Sequence, residues 1–205
     1  MIPIKYDTAG VGIIILAAGA SKRMGQPKQM LPFQDSNLLQ HTIKAAVNSV
    51  CNPIVLVLGA NIDIILPQVL GNPIHIVENK EWEEGMASSL RTGLNKMLLL
   101  NKFIESVVIL LCDQPFISSD QINKLVEASH ITRKSIIISE YEQSEGVPAL
   151  FNKEHFHELQ HLKGKEGAKK LLKLHKDCTY KVPFPQGLID IDTPEDYKNV
   201  MNDYF

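Results

Sequence analysis

The 205-residue sequence is short of several things, and each shortage removes a class of protein. Its three cysteines, Cys51, Cys112 and Cys178, are odd in number and widely spaced. Neither a disulfide framework nor a zinc box follows from them, and a reducing, cytoplasmic compartment is expected. An excess of one charge is also missing: the formal net charge is -2 and the pI 6.4, which gives no basic footprint for nucleic acid. No long apolar run occurs. The stretch from Val11 is broken too soon to span a bilayer, and residues 1–7 lack the basic region and apolar core of an export signal. Neither a nucleic-acid nor a membrane partner is therefore expected. There is no repeat, low-complexity tract or Pro/Ser/Gly-rich linker, which predicts one domain over residues 1–205.

What is present is an alternation. Short apolar runs at 12–16, 54–58, 74–77, 107–111 and 136–138 alternate with segments of helical period. Leu38, Ile43, Ala46, Val47 and Val50 can share one helix face, and Leu90, Leu94, Met97 and Leu98 another. Strands alternating with helices predict a mostly parallel sheet covered on both faces, a Rossmann-like three-layer α/β/α sandwich. After residue 140 the rhythm changes. Strands are expected at 147–151, 179–182 and 189–191, with helices around 155–160 and 167–175 and a last helix from Pro194.

In such sheets ligands sit beyond the carboxyl ends of the strands. Gly19, Gly59, Asn79 and Asp113 follow the first four runs, which places them on one rim. The first run empties into a loop with two glycines and three cations, Lys22, Arg23 and Lys28. Glycines let the backbone approach an anion, and consecutive N–H groups form a nest for phosphate. No Gly-Lys-Ser/Thr occurs here, so the loop is not a Walker A box.

The loop Leu16-Ala17-Ala18-Gly19-Ala20-Ser21-Lys22-Arg23-Met24-Gly25-Gln26-Pro27-Lys28 resembles the signature of the MobA-like nucleotidyltransferases. Four later segments resemble that family in order: Gly85 to Arg91, Cys112-Asp113-Gln114-Pro115, Gly146 to Phe151, and Asp190 to Asp196. The Ala17-Ala18 pair is more similar to the cytidylyltransferase branch that completes molybdenum cofactor than to the guanylyltransferase branch. The resemblance implies an Mg²⁺-dependent transfer of CMP from CTP to molybdopterin, with pyrophosphate released and a molybdoenzyme as the receiving partner. Transfer of GMP, transfer to another phosphorylated acceptor, and a non-catalytic nucleotide or cofactor chaperone are the other readings.

The site follows from the same residues. Lys28 and Arg23 are expected to neutralise the triphosphate, with loop N–H groups from Ala18 to Gly25 donating to it. Leu16, Ala17, Ala18, Gly19, Ser21, Met24 and Gly25 are expected to line the nucleotide site, together with Gly59 and Asn79. Asp113, a carboxylate at a strand end, suits Mg²⁺, a hard ion that prefers oxygen. The resemblance points to Asp192 as the second carboxylate, although Asp190 would share its face on an extended chain. Asp192 or Thr193 could instead cap the last helix. The turn at Gly85, Met86, Ser88 and Ser89 is expected to read the base through backbone groups, with N-capping by either serine as the local alternative. Asn79 and Arg91 are the weaker candidates. By resemblance, Gln114, Gly146, Pro148 and Gly167 take the acceptor, and Lys165 and Lys169 make that segment more basic than the family's pattern. The histidines 130, 155, 157, 161 and 175 read as solvated surface residues.

Overall fold

The structure, a computed structural model, describes residues 10–142, 144–164 and 167–204. Nine strands and seven α-helices occur among them, linked by short 3₁₀ turns. Along the chain they are β1 (Val11–Leu16), β2 (Pro32–Phe33), β3 (Ser36–Asn37), α1 (Leu38–Val47), β4 (Ile54–Leu58), α2 (Ile62–Val69), β5 (His75–Glu78), α3 (Met86–Leu100) and β6 (Ser106–Leu111). These are followed by α4 (Ser119–Thr132), β7 (Ile136–Tyr141), β8 (Ser144–Asn152), α5 (Phe156–Gln160), α6 (Lys169–Leu174), β9 (Thr179–Pro183) and α7 (Pro194–Tyr204).

The strand composition explains the sheet. All six residues of β1 and all five of β4 are buried, as strands covered on both faces require. The seven-stranded sheet has the order β5-β4-β1-β6-β8-β7-β9, and only β8 runs against the others. On one face Ile13, Ile15, Leu56 and Leu110 pack with α1, α2 and α4. On the other, Ile14, Val55, Val57 and Ile109 pack with α3, α5 and α6. The result is the three-layer α/β/α, Rossmann-like sandwich. A third, smaller cluster joins Met24, Leu31, Phe33 and Leu38 to Ile191 and Val200, tying α7 to the loop after β1.

Local signals set the helix starts. Asn37 caps α1 by accepting from the Gln40 N–H at 2.9 Å, and Ser118 caps α4 by accepting from the Gln121 N–H at 3.2 Å. Asp113, which precedes α4, could have been read as its cap, but Ser118 fills that role.

Residues 189–191 do not form the expected strand. Residues Pro185–Leu188 make a 3₁₀ turn, and the Ile191 N–H then donates to the Asp113 carbonyl at 2.9 Å. That one bond draws the closing segment to the end of β6, a long-range contact that alternation could not report. No helix among the described residues is long and apolar enough to cross a membrane.

Candidate active site

The carboxyl ends of β1, β4, β5 and β6 form one rim, which the amino end of the antiparallel β8 joins. Lys28 opens a 3₁₀ turn over this rim. Its Nζ lies 2.6 Å from Asp113 Oδ2 and 2.8 Å from Asp192 Oδ1, while Arg23 Nη2 lies 2.7 Å from Asp192 Oδ2. Residues separated by up to 169 positions thus meet in one cluster. Lys28 and Asp113 are largely buried, whereas the Arg23 side chain is 70% exposed and can move onto a ligand.

Burial works against the Lys28 ammonium, but the charge of Asp113 leads the attractions that outweigh it, and the lysine stays protonated well above its usual range. Burial likewise opposes ionisation of Asp192, yet hydrogen bonds and charge from Lys28 and Arg23 hold it below the usual carboxylate range. Burial, then the charge of Asp113, pushes the Cys112 thiol up to about 12. It is a buried neutral group and no nucleophile.

Asp113 and Asp192 are hard oxygen donors, the kind a divalent cation such as Mg²⁺ takes. Asp113 Oδ1 is buried and has no hydrogen-bond partner. A buried carboxylate oxygen with no donor is costly, and a cation is one way to satisfy it. The Lys28 ammonium occupies the space between the two carboxylates, which already holds one positive charge. The residues fit such a metal.

Two cavities meet here. One, of about 230 Å³, is lined by Leu16 to Gly19, Lys28, Gln29, Trp82, Gly85, Met86, Ser89 and Leu111 to Asp113. The other, of about 470 Å³, is lined by Gln114, Tyr141, Gly146, Val147, Gly167, Ala168, Asp190 and Asp192 among others. Lys28, Met86, Leu111 and Asp113 belong to both.

Other expected contacts fall elsewhere. Asn79 is buried: its Nδ2 donates to Ser88 Oγ at 2.9 Å and Ser89 Oγ at 3.0 Å, and its Oδ1 accepts from the Glu81 N–H. Ser88 Oγ in turn meets the Glu81 and Gly85 carbonyls. Asn79 and Ser88 brace the turn from behind, and neither serine caps α3. That helix starts at Gly85, whose φ of 121° and ψ of -164° favour glycine. Gly59 does not line the cavity either. A Cβ there would stand 2.7 Å from Trp82 Cβ and 2.9 Å from the Ala18 carbonyl oxygen, so the glycine is needed for close packing.

Met24 is core, packed with Leu31 and Phe33. The N–H groups of Met24 and Gly25 donate to the Ser21 carbonyl and that of Ala17 to the Val57 carbonyl, so these three amides are already engaged within the protein. Ser21 staples the loop, accepting from the Lys28 N–H at 3.1 Å. Gln114 is buried and donates to the carbonyls of Val147 and Gly187, so it shapes the larger cavity through backbone as well as lining it. Pro148 is not on that wall; its carbonyl accepts from Ser139 Oγ. Arg91 clamps Glu84 and the Leu162 carbonyl. Thr193 Oγ1 accepts from the Asp196 N–H, and Asp196 accepts from the N–H groups of Asp192 and Thr193. Thr193 is the cap, which leaves the Asp192 side chain to Lys28 and Arg23. Lys165 lies outside the described residues, and the side chain of Lys169 is likewise not described.

Sequence reasoning passed over Gln29, Trp82 and Tyr141. Gln29 is buried and donates to the carbonyls of Ala17 and Gly19 at 2.9 and 3.0 Å, turning both oxygens toward itself. Its only sequence signal was its place next to Lys28. His155 is buried, not solvated: its ring meets Ser135 Oγ at 2.9 Å and stands beside Glu158 and His175.

Residues 13–179 match the MobA-like NTP transferase domain, and the chain belongs to that family of nucleotidyltransferases. The purine catabolism protein PucB of Bacillus subtilis strain 168 is 32% identical over 199 residues, covering 91% of this chain and 94% of that protein. The molybdenum cofactor cytidylyltransferase of Escherichia coli K12 is 24% identical over 199 residues, covering 92% and 94%. The crystal structure of Rv0371c from Mycobacterium tuberculosis H37Rv shares 25% identity and a TM-score of 0.82, covering 95% of this chain and 99% of its own. A complex of that mycobacterial protein with manganese matches with a TM-score of 0.75 at 24% identity.

Proposed function

We propose that this chain catalyses Mg²⁺-dependent cytidylyl transfer from CTP to molybdopterin. An oxygen of the acceptor phosphate forms a bond to the α-phosphorus of CTP, the α–β bridging P–O bond breaks, and pyrophosphate leaves. One observation carries this reading: Lys28 is held between Asp113 and Asp192 where a smaller cavity meets a larger one. A nucleotide in the first cavity and an acceptor in the second would bring their phosphates together at that junction.

Each residue then has a physical task. Lys28 transfers its charge from the carboxylates to the triphosphate, and the exposed Arg23 adds a second cation from outside. Amides within residues 18–23 donate to phosphate oxygens, kept open by Gln29, which holds the intervening carbonyls. Asp113 and Asp192 would hold Mg²⁺, which supplies neutralisation of the phosphate oxygens and of the departing pyrophosphate. Phosphoryl chemistry of this kind needs positioning and charge rather than a covalent nucleophile, in accord with the inert Cys112. Gln114, Gly146 and Gly167 shape the acceptor wall.

The choice of CTP rests on Ala17-Ala18 and on the turn from Gly85 to Ser89, whose backbone donors and acceptors could meet the edge of a cytosine. Molybdopterin, and a molybdoenzyme that receives the product, follow from the same branch resemblance. A relative over nearly the whole chain carries the cytidylyltransferase name and supports it. Purified protein incubated with Mg²⁺, molybdenum-loaded molybdopterin and each nucleoside triphosphate in turn tests the proposal. Pyrophosphate release fastest with CTP is expected. A higher specificity constant for GTP would reassign the base, and no release with any nucleotide would reject transfer to this acceptor.

A further inference from the structure

The rim is not the sole place where ligand-type side chains converge. At the opposite, amino-terminal edge of the sheet, the chain leaves β8 into His155, enters α5 with Glu158, and leaves α6 at His175 just before β9. One donor atom from each of these three lies within 4.8 Å of the others. His155 Nδ1 is 3.4 Å from Glu158 Oε1, and His175 Nε2 is 2.8 Å from Glu158 Oε2. The two imidazole rings stand with their centroids 4.7 Å apart.

We propose that His155, Glu158 and His175 form a binding site for a borderline divalent cation, zinc above all, with water completing the set. Two imidazole nitrogens with one carboxylate oxygen are a zinc-type set, and neither magnesium nor calcium favours nitrogen. Two ligands at about 2.1 Å from zinc stand roughly 3.4 Å apart at a tetrahedral angle, the spacing already present between His155 and Glu158. That spacing is long for a charge-assisted hydrogen bond, which prefers about 2.7–2.9 Å. The far nitrogen of His155, Nε2, is held by Ser135 Oγ at 2.9 Å. Metal-bound histidines have such a partner, which fixes the ring and turns the lone pair of the other nitrogen to the ion.

The place of the site gives it a consequence. His175 closes α6, and Ala168, just before the first residue of that helix, and Leu172, within it, line the larger cavity. The span from Ala168 to His175 is roughly 10 Å along the helix axis. A cation shared by α5 and the end of α6 would therefore fix the acceptor wall from behind without touching the acceptor.

The full chain, stripped of metal and titrated with Co²⁺ alone, tests this by visible absorption, with Zn²⁺ then added in competition. We expect one equivalent to give an intense ligand-field band that Zn²⁺ abolishes, and a rise in melting temperature with Zn²⁺. His175→Gln and Glu158→Gln should each weaken binding at least about tenfold, and Asp113→Asn with Asp192→Asn should leave the band unchanged. Circular dichroism confirms that each variant is folded. His175→Gln is the milder change, and if His155→Ala fails to fold it still decides the matter. No stoichiometric band, a band unmoved in His175→Gln, or a band lost only in the Asp113/Asp192 variant would overturn the site.

Discussion

The ammonium of Lys28 stands 2.6 Å from Asp113 Oδ2, so the cation and the carboxylate that we propose for the triphosphate and for the metal neutralise each other here. On that proposal, ligand binding separates them. Lys28→Ala is expected to lower turnover by roughly a hundredfold or more. It should also strengthen Mn²⁺ binding in the absence of nucleotide, because two carboxylates are released from their ammonium. Steady-state kinetics and Mn²⁺ electron paramagnetic resonance read the two effects. Weaker Mn²⁺ binding in the variant would contradict this pairing.

Asp192 and Asp190 both line the larger cavity, but Lys28 and Arg23 contact Asp192. Asp192→Asn should therefore impair catalysis more than Asp190→Asn. Thr193 remains to cap α7 in either variant, so melting temperatures should change little. Full activity in Asp192→Asn with an unaltered Mg²⁺ requirement would pass the role to another group.

Asn79 serves as a brace in this structure. Asn79→Ala leaves the hydroxyls of Ser88 and Ser89 without their donor and should destabilise the fold by about 1–3 kcal/mol. KM for the nucleotide should move little once the protein is folded. A large KM rise at unchanged stability would show Asn79 in contact with the base.

Glu84 provides a pH signature. Hydrogen bonds from Arg91 first, then from the Gly164 N–H, hold its carboxyl at about 2, against about 4.3 for an unpaired glutamate. Because the folded value lies below the unfolded one, its contribution is fully present above about pH 4.3 and is lost as pH falls from there through about 2. The stability difference between wild type and Glu84→Gln should be level near neutrality and close in that acid window. Carboxyl NMR giving an ordinary glutamate midpoint for Glu84 would remove the clamp.

The sheet was legible because strands such as β1 and β4, buried on both faces, are written as unbroken apolar runs. Lys28 and Asp113 were legible as candidates because loop composition and a strand end mark the rim, and Asp192 through the resemblance of the closing segment to the family's motif. Which carboxylate meets Lys28 was not, since that depends on the Ile191 N–H reaching the Asp113 carbonyl across the fold. Asn79 and Ser88 were read as ligand contacts because a polar residue at a rim looks the same whether it faces a base or a neighbouring side chain. Gln29 and His155 were missed for the converse reason. Each is a polar residue whose burial arises from tertiary packing alone.

On the proposed mechanism this junction joins an α-phosphate to an acceptor phosphate. CTP labelled at the α-phosphorus, with Mg²⁺ and molybdopterin, tests it most directly in wild type beside Asp113→Ala. Label on the acceptor, an equimolar amount of unlabelled pyrophosphate, and turnover in the variant lower by roughly a hundredfold or more are expected. Label appearing only as free CMP, or equal turnover in Asp113→Ala at saturating Mg²⁺ and nucleotide, would contradict it.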